Sequence, residues 1–179
     1  MNFKFGFAAA VAVTLLFNAN MTSVRAAEET TVAAFATWQS EGRLFRIGED
    51  SGLFVGGLSG IMFVEKGGGG LNAAKIVCPA MMEVRFKDAY MTGEGRCIIT
   101  GVKGNRIFAK WRCVGVALIG CKGRFELTAG TGKFQGISGG GDIIFRTAIF
   151  EFARKLSEDN ARSIGLGMAV WPRLTYRLP

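Results

Sequence analysis

"NRIFAKWRC", residues 105–113, decides the fold class. Asn105, Ile107, Ala109, Trp111 and Cys113 fall on one side of an extended chain, and Arg106, Phe108, Lys110 and Arg112 on the other. A period of two belongs to a strand with one buried face, not to a helix of 3.6 residues per turn. Outward from it, comparable short runs occupy 33–39, 43–47, 52–65 (whole, or broken at Gly56-Gly57), 81–88, 94–100, 121–128, 141–152 and 164–177. Glycine occurs 26 times and proline three times, so turns rich in glycine divide the runs. "EFARKLSEDNAR", 151–162, is the one helical turn expected, and "GGGGLN", 67–72, reads as a loop. Eight or so strands without long helices must hide their edges in a closed barrel or a sandwich. Glycines within strands suit barrel corners, so the expected fold is all-β, an antiparallel eight-stranded barrel.

The chain opens "MNFKFGFAAAVAVTLLFNANMTSVRA", with one Lys before an apolar run from Phe5 to Phe17 and small residues ending at Ala26. This is the layout of a secretory signal, and the run is shorter than the roughly 20 residues that span a bilayer. The expectation is a signal peptide over 1–26, one domain over 27–179, no membrane span once the signal is removed, and a periplasmic or secreted protein. Export places Cys78, Cys97, Cys113 and Cys121 in an oxidising compartment, where an even count reads as two disulfides. The chain has no histidine. That excludes Ser-His-Asp and Cys-His nucleophiles and every His-ligated metal, and with no C-x-x-C pair neither a metal nor a cofactor is expected.

Gly130-Thr131-Gly132-Lys133 looks like half of a phosphate-binding loop. A P-loop needs glycine at Leu127, Ser or Thr at Phe134, and a following helix; none is present. The expected structure is a turn built on Gly130, Gly132, Gly136 and Gly139, with Phe134 plugging the core beneath it. The stretch Phe125–Gly139, "FELTAGTGKFQGISG", resembles the G-G-T-G-x-F-x-G-x-x-G turn of the allene oxide cyclase and dirigent superfamily and of secreted bacterial proteins with that barrel. Ala129 stands in place of the first glycine. The resemblance, strong over 121–145, implies a lipocalin-like eight-stranded barrel. Its plant members steer cyclisation or coupling of apolar substrates, but the matched turn is structural and brings no catalytic residue.

The expected mature chain carries 20 Lys and Arg against 14 Asp and Glu, and between Gly95 and Gln135 eight cations stand against Glu126 alone. If Cys113 and Cys121 face each other across a hairpin with loop "VGVALIG", Trp111 lies over Gly123, Ala109 meets Phe125 and Ile107 meets Leu127. Arg112 then opposes Lys122 and Lys110 opposes Arg124, like charges that destabilise by up to about 1 kcal/mol per pair. Cys78 pairs with Cys97 by elimination, the face of Cys97 being undecided. This makes Lys110, Arg112, Lys122 and Arg124 a candidate anion-binding face for a charged envelope component. The plain alternative is a solvated, solubilising surface. No recognition helix and few outer aromatics are present, so no specific nucleic acid is expected. Trp111, Phe125 and Phe134 are candidate interior residues, with Phe54, Met62, Met81, Met82 and Phe145, and they either fill the barrel or wall a cavity for an apolar small molecule. Glu65, Glu83 and Glu126 are acids or bases only if they point inward. The functional expectation is a binding or interaction module; the alternative is an isomerase or cyclase in the interior. An outer-membrane barrel fits the strands but not the cations on the outer face.

Overall fold

The computed structural model describes residues 28–150 and 160–179. The expected signal segment 1–26 lies outside them, as does 151–159, which links the last two strands. Eight strands, β1 (Glu29–Gly48), β2 (Ser51–Val64), β3 (Ala74–Arg85), β4 (Tyr90–Thr100), β5 (Arg106–Val116), β6 (Gly120–Gly130), β7 (Ser138–Phe150) and β8 (Asn160–Arg177), form a closed barrel. Each runs antiparallel to the next, and β8 pairs with β1 from Glu29↔Arg177 to Phe45↔Asn160, so no strand edge is left open.

Several strand expectations are corrected. Segments 33–39 and 43–47 are one strand, 52–65 is not broken, the strand expected over 81–88 runs from Ala74 to Arg85, and Asn160–Arg162 begin β8 instead of ending a helical turn. The glycines that read as breaks are contact points. Gly42 and Gly56 pair across β1 and β2, and the Phe54 ring lies against both; a Cβ on either would come within 2.6 Å of it. Two tryptophans repeat the device: Trp38 lies over Gly167 and Trp111 over Gly95, its opposite residue on β4.

These aromatics fill the barrel. Trp111 meets Phe145 with ring centroids 4.8 Å apart, and Phe125 meets Trp171 edge-on at 5.2 Å. Phe54 and Met62 are fully buried, while Met81, adjacent to inward-facing Met82, points outward, correcting its assignment to the interior. Among the described residues, interior spaces of about 40 Å³, open at one barrel end, and about 20 Å³ remain. A water needs about 10–15 Å³ on this measure, so each void holds a few waters at most. Among the described residues, the buried polar side chains besides the indoles are Ser40 and Ser163, and their hydroxyls, with the Nε1 atoms of Trp38, Trp111 and Trp171, have no hydrogen-bond partner.

The barrel ends differ. At one, the β6–β7 turn contains a short 3₁₀ helix, Gly132–Phe134, which seats Phe134 beneath the loop, with Leu71 also buried. Gly132, Gly136 and Gly139 have positive φ, while Gly130 ends β6 with Phe134 directly against its Cα. At the other end, where the β1–β2, β3–β4 and β5–β6 turns lie, an apolar funnel opens between Met82, Met91, Trp111, Leu118 and Phe145.

Candidate functional site: an outer groove over β3 to β5

The β5–β6 hairpin is tighter than the sequence suggested. Its loop is Ala117–Ile119, not the seven residues between the cysteines, and the register shifts by two residues. Trp111 therefore faces Phe125, not Gly123, and Ala109 faces Leu127; a bulge between Phe108 and Ala109 sets Ile107 opposite Gly130. Cys113 lies opposite Gly123 and Cys121 opposite Gly115, so the disulfide runs diagonally on the inner face, with Cα atoms 5.6 Å apart. The two glycines make room for it: a Cβ on Gly123 would be 2.6 Å from the Cα of Cys113, and one on Gly115 would be 2.5 Å from the Cα of Cys121. Cys78 bonds Cys97, their Cα atoms 4.1 Å apart, and both point inward. That bridge spans residues 78–79 and 96–97, between the backbone pairs Val77↔Ile98 and Ala80↔Gly95, where Pro79 offers no N–H to the ladder.

The new register rearranges the basic face. Lys110 opposes Glu126 and pairs with it at 3.0 Å, and Arg124 pairs with Asp142 of β7 at 2.6 Å. Arg112 pairs with Glu94 of β4 at 3.4 Å. Lys122 faces Val114, not Arg112. The expected oppositions Arg112–Lys122 and Lys110–Arg124 are thus absent, because the loop is four residues shorter than assumed. Two other like-charged oppositions take their place: Arg112 with Arg124, and Arg96 with Lys110. Each of Lys110, Arg112 and Arg124 is offset by a neighbouring carboxylate. Among the described residues, Arg96 and Lys122 have none.

Arg96 stands over a hollow of about 330 Å³ on the outer wall, floored by Val55, Pro79 and Met81 and flanked by Lys110, Glu94 and Arg112. A second hollow of about 350 Å³ continues it past Leu53, Thr92 and Val114, with Met81, Glu94 and Arg112 common to both. The two form one groove with an apolar floor and a rim of three cations, Arg96, Lys110 and Arg112, and two carboxylates, Glu83 and Glu94. Trp111 reaches this groove from behind through Gly95, which has no side chain to screen it.

None of the three carboxylates points inward. Glu65 lies exposed in the turn after β2, and Glu83 and Glu126 are exposed on the outer wall, Glu83 along the second hollow of the groove. Arg85 pairs not with Glu83 but with Asp88 in the β3–β4 turn, and the hydrogen bond from its guanidinium lowers the Asp88 carboxyl to about 2. Sequence reasoning missed Arg96 as a site residue, and Trp38 and Trp171 as interior residues. For Arg96 the signal was available as parity with Ile98 and Glu94 on one strand, but its partner Lys110 needed the β4–β5 register.

No protein-family profile and no curated protein sequence matches the chain. The chain is similar to the crystal structure of a protein of unknown function of the DUF3224 family from Shewanella oneidensis, with 11% identity, 79% of this chain and 96% of that one covered, and a TM-score of 0.46.

Proposed function

We propose that this protein is an exported binding module that holds an anionic amphiphile, a single acidic head group with an apolar tail, in the groove over β3 to β5. The observation that carries the reading is Arg96: a guanidinium without a carboxylate partner, directly opposite Lys110, above an apolar floor. Such an arrangement costs stability when empty and gains from an arriving anion. Four cysteines, all in disulfides, fit an oxidising compartment outside the cytoplasm, where the candidate anions are phosphorylated lipid head groups, lipopolysaccharide, acidic polysaccharide and acidic proteins.

The interior supports a cyclase less well. Among the described residues no carboxylate, amine or guanidinium is buried, so the acid–base pair such a reaction needs has no candidate there. The resemblance of residues 125–139 to the allene oxide cyclase and dirigent turn lends the barrel, not a reaction.

Isothermal titration with dodecyl phosphate and with inorganic phosphate tests the reading. Dodecyl phosphate binds, inorganic phosphate binds much more weakly, and Arg96→Glu lowers the dodecyl phosphate affinity by about tenfold or more, on the basis of about 1.5–3 kcal/mol for a charged hydrogen bond. Equal affinity in wild type and Arg96→Glu would remove the groove from consideration. Equal affinity for both phosphates would remove the apolar floor.

A further inference from the structure

The β5–β6 hairpin ends in an apolar tip. Tyr90, Val114, Val116, Leu118 and Ile119 are between 40% and 61% exposed. They are contiguous, since Tyr90 pairs with Val116 and both lie at the same barrel end. Leu118 occupies the left-handed region, φ 69°, where Gly or Asn is the usual residue and a leucine side chain is disfavoured. A loop arranged for stability and contact with water would not place Ala-Leu-Ile here. Nor is the tip a loose end: the Ala117 N–H donates to Ala89 O at 2.7 Å, and the Thr147 N–H donates to Ile119 O at 3.2 Å, tying it to the β3–β4 turn and to β7.

We infer that this tip docks on a lipid surface. Three observations select that partner. The tip is a turn of a few side chains, whereas a stable protein interface takes about 20–30 residues a side; local insertion into a bilayer needs no such area. Its margin has interfacial character: Tyr90 carries Arg85, ion-paired with Asp88, over its ring at 4.8 Å, and Lys122, with no carboxylate partner among the described residues, lies opposite Val114 on a long stem beside the aliphatic side chains. Finally, Leu118 also lines the funnel that runs between Met82, Met91, Trp111 and Phe145 into the barrel. An acyl chain end leaving the bilayer at Leu118 therefore meets a continuous apolar wall. The groove and the tip meet at Val114, but the tip's other exposed residues lie outside the groove, and the inference does not depend on the anion reading.

The test is sedimentation of the chain from Ala27 onward, oxidised, with neutral phosphatidylcholine vesicles. That chain contains all eight strands and both disulfides. Neutral lipid offers the groove no net anion. The wild type partitions onto the vesicles, and Leu118→Asn with Ile119→Asp lowers the partition coefficient by at least about tenfold, from the loss of two buried aliphatic groups. Folding is not the variable: asparagine suits the left-handed turn and Ile119 is exposed, so the variant keeps or raises its Tm. Arg96→Glu leaves neutral-vesicle binding unchanged. The inference fails if the wild type stays in the supernatant, if the double variant partitions equally, if binding occurs only to anionic vesicles and is lost in Arg96→Glu, or if the double variant instead abolishes a dimer of this chain.

Discussion

The Trp111–Gly95 contact allows a quantitative test of how this barrel is filled. A Cβ at residue 95 would lie 2.7 Å from Trp111 Nε1, 2.8 Å from its Cε2 and 2.8 Å from the carbonyl oxygen of Pro79. The indole has little room to retreat, since Phe145 holds it from the other side at 4.8 Å between centroids and it is 2% exposed. Gly95→Ala is an overpacking substitution and should cost about 2–3 kcal/mol, the upper half of the usual range. For a domain of this size that lowers Tm by roughly 5–10 °C.

The cost has two sources that separate in a double-mutant cycle. Trp111→Ala removes the whole ring system and so relieves the two indole contacts, while the contact with the Pro79 carbonyl persists. In the Trp111→Ala background Gly95→Ala should therefore cost about 1 kcal/mol less than in the wild type. Urea unfolding followed by far-ultraviolet circular dichroism measures all four corners. Additivity within about 0.5 kcal/mol would mean that the indole does not rest on Gly95, and the account of the glycines as contact points would fail.

Three further outcomes are expected. Replacing Cys78 and Cys97 by alanine should cost about 3.2 kcal/mol, and replacing Cys113 and Cys121 about 2.5 kcal/mol, from sequence separations of 19 and 8; denaturant unfolding under oxidising conditions ranks them. The Asp88 carboxyl, lowered to about 2 by the Arg85 hydrogen bond, sits below its unfolded value, so its contribution is present above about pH 4 and is lost as pH falls through about 2. Carboxyl NMR titration shows this, and Arg85→Gln should return the midpoint toward the ordinary aspartate range. Hydrogen peroxide should convert the exposed Met81 and Met168 to sulfoxides well before the fully buried Met62, as read by peptide mass mapping.

How much was legible in sequence follows from what each feature depends on. The alternation of Ile107, Ala109, Trp111 and Cys113 against Arg106, Lys110 and Arg112 is local, and it placed every one of those side chains on the correct face. The same parity put Phe125 inside, and the Gly130–Gly139 turn with Phe134 beneath it followed from glycine spacing. Register is not local. Choosing Cys113 and Cys121 as directly opposite fixed a loop of seven, whereas a diagonal bridge across two glycines permits a loop of three. A slip of two keeps every side chain on its face, so no hydrophobic pattern could reveal it. It did change every outer-face partner. The cationic window from Gly95 to Gln135 also stopped one residue short of Glu94 and seven short of Asp142, the carboxylates that neighbouring strands bring to Arg112 and Arg124. Charge counted along a chain overstates charge on a sheet whenever the flanking strands supply the opposite sign.

The filled interior and the two outer surfaces are connected by one residue. Trp111 walls the apolar funnel, backs the outer groove through the bare Cα of Gly95, and faces the Cys113–Cys121 side of the barrel from the same strand. An amphiphile bound against Arg96 and Met81 therefore lies on the outer side of the strand that the indole rests on. A chain end reaching Leu118 meets the mouth of the funnel whose wall includes the indole's inner face. The interior is tightly filled, so a displacement of the ring in one direction is opposed by Phe145 in the other, and the two occupancies compete for the same small free volume. With Trp38 and Trp171 replaced by phenylalanine, Trp111 emission should shift on addition of dodecyl phosphate and on addition of neutral vesicles. The second shift should shrink when the groove is already filled. Independent, additive shifts would show that Gly95 and Trp111 form a rigid wall, and that the groove and the funnel act as separate sites on one scaffold.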